Sequence, residues 1–228
     1  MKLLKVIPHI LTLFNLLSGV FGITYLMDGQ IVNASIMIFI GAGFDFLDGF
    51  AARAFDAKSE LGKQLDSLAD LATFGILPSL IVFSILSSIN SGWMAYVGLA
   101  IALGAGFRLA KFNIDQRQTN YFIGLPTPAN ALLISSLPFL IQEEYLSGFF
   151  TTQALVSLSL LLAILMVSPM PLLSFKFSHY RWTGNKFRYL LILLFLVSAY
   201  YYSFLAIPII FVLYILFSIV SRPGKTVE

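Results

Sequence analysis

The chain has no cysteine, two histidines and two tryptophans, and only 11% of its 228 residues are charged. Without cysteine there can be no disulfide, no thiolate metal site and no thiol nucleophile. The two histidines, His9 and His179, show no metal-ligand pattern. The shortage of charge excludes more. A soluble domain carries roughly 25% charged residues, and a chain with less than half of that cannot cover a water-facing surface. Disorder is excluded too, because 58% of the residues are apolar. What is left is an all-α, polytopic membrane protein, with no soluble domain and no expected nucleic-acid partner.

A spanning helix needs about 20 apolar residues. Hydropathy gives eight candidates, near 8–27, 31–55, 60–88, 93–113, 126–142, 152–174, 187–202 and 204–221. Barrel strands would alternate with period two, whereas Leu158–Val167 and Leu190–Val197 are continuously apolar. Breakers mark several turns: Asp28-Gly29, Asn90-Ser91-Gly92, and Gly124 to Pro128. The first apolar run is long enough to span, contains Asn15, Ser18 and Gly19, and has no small-residue cleavage site after it. It reads as an uncleaved helix rather than a signal peptide. The whole of 1–228 reads as one transmembrane domain.

The basic residues are sorted. Lys2 and Lys5 precede the first helix. Arg53, Lys58 and Lys63 fall at the second junction, and Arg108, Lys111 and Arg117 at the fourth. Lys176, Arg181, Lys186 and Arg188 lie between helices six and seven, and Arg222 and Lys225 follow the eighth. With eight helices, all 14 bases fall on one side, while the opposite loops hold Asp28, Glu143 and Glu144. Lys/Arg bias in short loops sets orientation, so this side and both termini are expected to be cytoplasmic. Tyr200, Tyr201 and Tyr202 then read as an aromatic belt at the outer surface. Gly41-Ala42-Gly43-Phe44 recurs as Gly104-Ala105-Gly106-Phe107. No strand precedes either copy, so close helix packing is the expectation rather than a nucleotide loop.

Six of the eleven acids lie in one 26-residue window: Asp45, Asp48, Asp56, Glu60, Asp66 and Asp70. Asp56 and Glu60 read as loop carboxylates beside Arg53, Lys58 and Lys63. The other four sit within helices. Asp45 and Asp48 are i, i+3, and Asp66 and Asp70 are i, i+4, so each pair shares a helix face. A short connection makes the two helices antiparallel, and the four carboxylates converge at one depth. Such a cluster repels itself unless a cation joins it. Hard oxygen ligands without Cys or His favour Mg²⁺ or Mn²⁺, and Ca²⁺ could occupy the site. Gly49 and Gly62 leave room for a ligand, Ala52 keeps the face small, and Arg53 offers a cation to phosphate. A metal, an arginine and small residues at headgroup level suit a phosphate-containing lipid. The competing class is a cation pathway, since membrane acids often mark ion routes. Against it, the other helices hold almost no acids to continue a path.

Asp45-x2-Asp48-Gly49-x2-Ala52-Arg53-x8-Gly62-x3-Asp66-x3-Asp70 resembles the signature of the CDP-alcohol phosphotransferases without a departure. The resemblance implies transfer of a substituted phosphoryl group from a CDP-linked lipid to an alcohol, with release of CMP. It implies that Asp45, Asp48, Asp66 and Asp70 bind divalent metal, that Asp70 is the general base, and that Gly49, Ala52, Arg53 and Gly62 border the CDP. A catalytic core near 1–175, two additional helices at 187–221 and a homodimer in the cytoplasmic membrane follow from the same resemblance. Arg108-Leu109-Ala110-Lys111-Phe112-Asn113, Phe122 to Ala129 and Ile7 to Gly19 are similar to the serine-accepting, integral-membrane branch of the family. His9 stands where that branch often has Asn. The acceptor implied is L-serine, with glycerol 3-phosphate or an inositol phosphate as alternatives. Arg108 and Lys111 are candidates for the acceptor carboxylate or a phosphate, or else snorkelling anchors. Thr12 and Asn15 read as interhelical hydrogen-bonding residues.

Overall fold

The structure, a computed structural model, describes residues 6–57, 59–114, 121–173 and 185–221. Lys2, Lys5, Lys58, Arg117, Lys176, His179, Arg181, Arg222 and Lys225, on which much of the charge sorting rests, lie outside the described residues. Among the described residues the regular structure is helical apart from one two-stranded ribbon, and five helical runs are long and apolar enough to cross a membrane. The first four are α1 (Ile7–Met27), α2 (Ile31–Ala54), α3 (Glu60–Ser88) and α4 (Gly92–Ile114). Two shorter apolar helices follow, α5 (Thr127–Ile141) and α6 (Thr152–Val167). The fifth run, Lys186–Ser221, is folded on itself. Ser203 breaks it with φ 48° and ψ −122°, giving α7 (Lys186–Tyr202) and α8 (Ala206–Ser221). Phe187 at the start of α7 lies 5.4 Å from Phe217 near the end of α8, ring to ring, so the pair is an antiparallel hairpin. Its tip docks through Phe204, stacked 3.7 Å from Phe139 of α5.

At α1 the packing is inside out relative to a soluble protein. The buried face of α1 is Pro8, Thr12, Asn15, Ser18, Gly19 and Gly22. Its exposed face carries Ile10, Leu13, Phe14, Leu17, Val20 and Phe21. Lipid tails are as apolar as leucine, so a helix can associate there through small residues and polar contacts and leave its apolar face to the lipid. The chain is an integral membrane protein. Its centre is α3, more than half buried over its spanning window. Phe74, Leu77, Ile81 and Leu86 of α3 meet Ile101 of α4, Ile134 of α5 and Leu162 of α6 in one continuous core.

Turn chemistry is as the sequence suggests at three places. Gly29, just past α1, has φ +75°, Gly92 at the start of α4 has φ +59°, and Gly124 before α5 has φ +75°. All are left-handed positions that glycine adopts without penalty. In each recurring glycine motif the first glycine is a packing point. Gly41 faces Thr73 of α3, and Gly104 faces the Ala163 backbone of α6. Gly43 faces open space.

Two features differ from the sequence reading. The sixth helix stops at Val167 rather than near 174. Pro169 and Pro171 cannot continue it, because proline lacks the amide donor and restricts its predecessor. Residues Pro171–Leu173 instead form a strand, β2, antiparallel to β1, Tyr121–Ile123. α3 is also not a plain α-helix. Leu71–Ile76 is π-helical, immediately after Asp70.

Candidate active site

The acids come from two antiparallel helices joined by a short connection. α2 ends at Ala54, Ala57 is buried, and α3 restarts at Glu60 with Ser59 as N-cap, whose hydroxyl accepts from the Gly62 amide at 3.0 Å. Such a cap satisfies one of the free donors of a helix start. Asp56 and Glu60 are exposed, as loop carboxylates should be.

One carboxylate oxygen from each of Asp45, Asp48 and Asp66 lies within 4.8 Å of the other two. Oxygens bound to one Mg²⁺ or Ca²⁺ at about 2.0–2.6 Å stand up to about 4–5 Å apart. The three donors therefore fit a single hard divalent ion in charge, chemistry and spacing. Asp48 is buried, and Asp45 and Asp66 are half-buried. Asp70, one turn further along α3, is buried and stands outside this trio.

The sequence alone does not reveal what holds these carboxylates. The Thr12 hydroxyl lies 2.7 Å from Asp48 Oδ2 and 3.0 Å from the Pro8 carbonyl, sharing its hydrogen between them. Asn15 donates from Nδ2 to Asp70 Oδ1 at 3.3 Å. Thr73 donates from Oγ1 to the Asn15 carbonyl at 2.8 Å. Thr12 and Asn15 are thus interhelical hydrogen-bonding residues as expected, and their partners are two of the four aspartates, whereas Ser18 donates within α1 to the Phe14 carbonyl.

The other predicted positions divide. Gly49 is unfilled: a Cβ there would meet only Arg53 Nη1, at 3.5 Å. Arg53 is exposed and Ala52 half-buried, so this flank is open to a ligand. Gly62 is different. A Cβ there would fall 3.0 Å from His9 Nε2 and 3.1 Å from Ser59 Oγ, and His9 Nε2 is 3.1 Å from the same serine hydroxyl. His9 thus takes up the room Gly62 leaves.

Arg108 is buried, and its Nε has no hydrogen-bond partner. A snorkelling anchor would instead reach water. It lies within Coulombic range of Asp70 and near Tyr214 of α8, with its guanidinium 6.0 Å from the Phe112 ring. With Lys111, Phe112, Ile123, Met166 and Ser168 it lines a cleft between α4, β1 and the end of α6. Lys63 and Ser67 tie α3 to the end of α4 through Asn113, the Lys63 ammonium donating to its carbonyl at 2.6 Å. The Thr127 hydroxyl and the Asn130 amide, at the start of α5, are fully buried without a partner. The last two helices also reach this end of the bundle. Tyr214 donates to the Leu173 carbonyl at 3.0 Å, and Ser218 accepts from its amide at 3.1 Å, clamping β2.

The site brings together a trio of carboxylates spaced for a divalent ion, a fourth beside it and an open flank carrying an arginine. Residues 5–171 match the model of the CDP-alcohol phosphatidyltransferase family, and the chain belongs to it. It is therefore a transferase. It is 37% identical over 137 residues to the CDP-diacylglycerol–serine O-phosphatidyltransferase of Bacillus subtilis (strain 168), covering 58% of this chain and 75% of that protein. The protein of the same name from Helicobacter pylori (strain ATCC 700392 / 26695) is 32% identical over 221 residues, 95% of this chain and 91% of its own. The archaetidylserine synthase of Methanothermobacter thermautotrophicus is 31% identical over 166 residues, 71% and 67% of the two chains.

Proposed function

We propose that this protein transfers the phosphatidyl-type group of a CDP-linked lipid to the hydroxyl of L-serine. The observation that carries the reading is the aspartate trio with Asp70 beside it. Similarity to serine-accepting relatives with both diacylglycerol and archaeal lipids supports serine and leaves the donor as CDP-diacylglycerol or its archaeal-type analogue. In the reaction the serine oxygen bonds to the phosphorus that carries the lipid. The phosphoanhydride P–O bond breaks, CMP leaves with the bridging oxygen, and the hydroxyl proton passes to Asp70.

Asp45, Asp48 and Asp66, with Asp70 at their edge, are the residues that would hold divalent metal. A divalent ion held by them, Mg²⁺ or Mn²⁺, would supply positive charge for the phosphates and the leaving group. Gly49 and Ala52 give the nucleotide close approach to α2, Arg53 faces its phosphates, and Gly62 borders it. Arg108 and Lys111 receive the serine carboxylate. Arg108 Nε, Thr127 and Asn130 are buried polar groups still lacking partners, as the walls of a polar-substrate site would be. Eight crossings, both termini in the cytoplasm, a core near 1–175 and a homodimer in the cytoplasmic membrane belong to the same reading. The positive-side charge pattern supports the orientation.

The cation-pathway alternative has little to travel along. Among the described residues the buried charged side chains are Asp48, Asp70 and Arg108. The test is purified protein with CDP-diacylglycerol, Mn²⁺ and labelled serine, which should yield CMP and labelled lipid. Turnover with glycerol 3-phosphate but not serine would overturn the acceptor. Cation uptake by liposomes without CMP release from any acceptor would overturn the reaction.

A further inference from the structure

The acidic signature lies on α2 and α3, yet among the described residues the side chain donating to Asp70 comes from α1. Asn15 is fully buried, and its Nδ2 donates to Asp70 Oδ1. Asn15 is itself held. Its carbonyl, which pairs within α1 with the amide four residues on, also accepts from the Thr73 hydroxyl. Thr73 is fully buried and lies in the π-helical segment that begins after Asp70.

Two glycines make this approach possible. A Cβ on Gly19 would fall 2.5 Å from Thr73 Oγ1 and 3.0 Å from its Cα. A Cβ on Gly41 would fall 2.5 Å from Thr73 Cγ2 and 3.0 Å from Asn15 Oδ1. Three helices close on one asparagine. Wide π turns are rare, occur mostly as single-turn bulges and are frequent at functional sites. Here the turn brings Thr73 onto α1.

The final torsion of an aspartate is broad and roughly two-fold, so a carboxylate outside the metal-fitting trio needs something else to fix it. We propose that Asn15, clamped by Thr73, is a positioning residue for Asp70: it occupies Oδ1 and leaves Oδ2 as the oxygen that takes the acceptor's proton. The inference rests on the reading of Asp70 as general base, and it holds whichever alcohol is the acceptor. A neutral amide suits the task, since it orients the carboxylate without pairing off its charge.

The test measures CMP release by the full chain in detergent or liposomes, with CDP-diacylglycerol, Mn²⁺ and the best alcohol, alongside thermal unfolding. Asn15→Leu removes the donor at similar volume. It should lower kcat by about 10- to 100-fold, the scale of a misplaced catalytic group. The KM for the CDP-lipid should change by less than about twofold. Thr73→Val should lower kcat by roughly 2- to 10-fold, the worth of one hydrogen bond, and Thr73→Ser, which keeps the hydroxyl, should restore it. If Asn15→Leu does not insert, the Thr73 pair decides. Equal kcat for Thr73→Val and Thr73→Ser, or kcat, KM and melting temperature falling together in every variant, overturns the positioning role. Asp70→Asn separates the two levels. If it turns over like wild type, the base reading fails and this inference with it. If it is dead while Asn15→Leu keeps at least half its kcat, the inference alone is wrong.

Discussion

Gly49→Ala separates a glycine kept for a ligand from one kept for packing. Among the described residues nothing needs Gly49 to be small, because a methyl there meets only the tip of Arg53, at an ordinary contact distance of 3.5 Å. Within a helix, alanine is favoured over glycine by about 1 kcal/mol, so the variant should unfold no earlier than wild type. If the open flank receives the CDP moiety, the methyl intrudes on bound substrate. An overpacked contact costs about 1–3 kcal/mol, which is roughly a 5- to 150-fold rise in KM for the CDP-lipid. Two neighbours serve as controls. Gly43→Ala, with open space around it, should likewise unfold no earlier than wild type and should leave KM unchanged. Gly41→Ala drives a methyl to 2.5 Å from Thr73 and should destabilise by about 1–3 kcal/mol. The assays are CMP release against CDP-diacylglycerol and thermal unfolding in detergent. A Gly49→Ala protein with wild-type KM, or one destabilised as much as Gly41→Ala, would refute the assignment of this flank to the donor.

Three further outcomes follow from the geometry. In wild type, Mn²⁺ without substrate should raise the melting temperature, because an ion that binds only the folded state stabilises it; Asp66→Asn should abolish the shift, and an undiminished shift would remove Asp66 from the ion site. Arg108→Gln should raise the KM for serine more than that for CDP-diacylglycerol; the reverse order would move Arg108 from the acceptor to the donor. Tyr214→Phe deletes the hydrogen bond to Leu173 and should lower stability by about 0.5–1.5 kcal/mol; an unchanged melting temperature would show that the α8 clamp on β2 carries no weight.

Hydropathy located the helices because an apolar run of spanning length has few other uses. It misjudged the end of α6 because Met170, Leu172 and Leu173 look like more of the same run. The signal lay in Pro169 and Pro171, which a hydropathy average dilutes. The π turn of α3 was not legible. Its Leu71–Ile76 composition is ordinary for a membrane helix, and its geometry comes with Thr73 reaching across to α1. Of the site, the aspartates were legible because acids are costly in a membrane and seldom idle. Their grouping as three plus one was not, since i, i+3 and i, i+4 spacing sets a face but not the distance between two helices.

Thr12 and Asn15 show why the supporting side chains were harder to read. In a soluble protein the buried side of a helix is its apolar side, and a polar stripe points to water. In α1 that rule is reversed: the leucines and phenylalanines face out, and the buried stripe is made of the small and polar minority. A polar residue in such a helix therefore marks an inward face before it marks anything else. Asn15 looked the same whether it served to join helices or to serve the chemistry. What separates the two is the partner. An asparagine that joined helices only through neutral groups would be a packing residue, whereas this one donates to a buried carboxylate of the aspartate cluster. The glycines at 19 and 41 gain meaning from the same fact, because each stands where a larger side chain would push Thr73 or Asn15 away from Asp70.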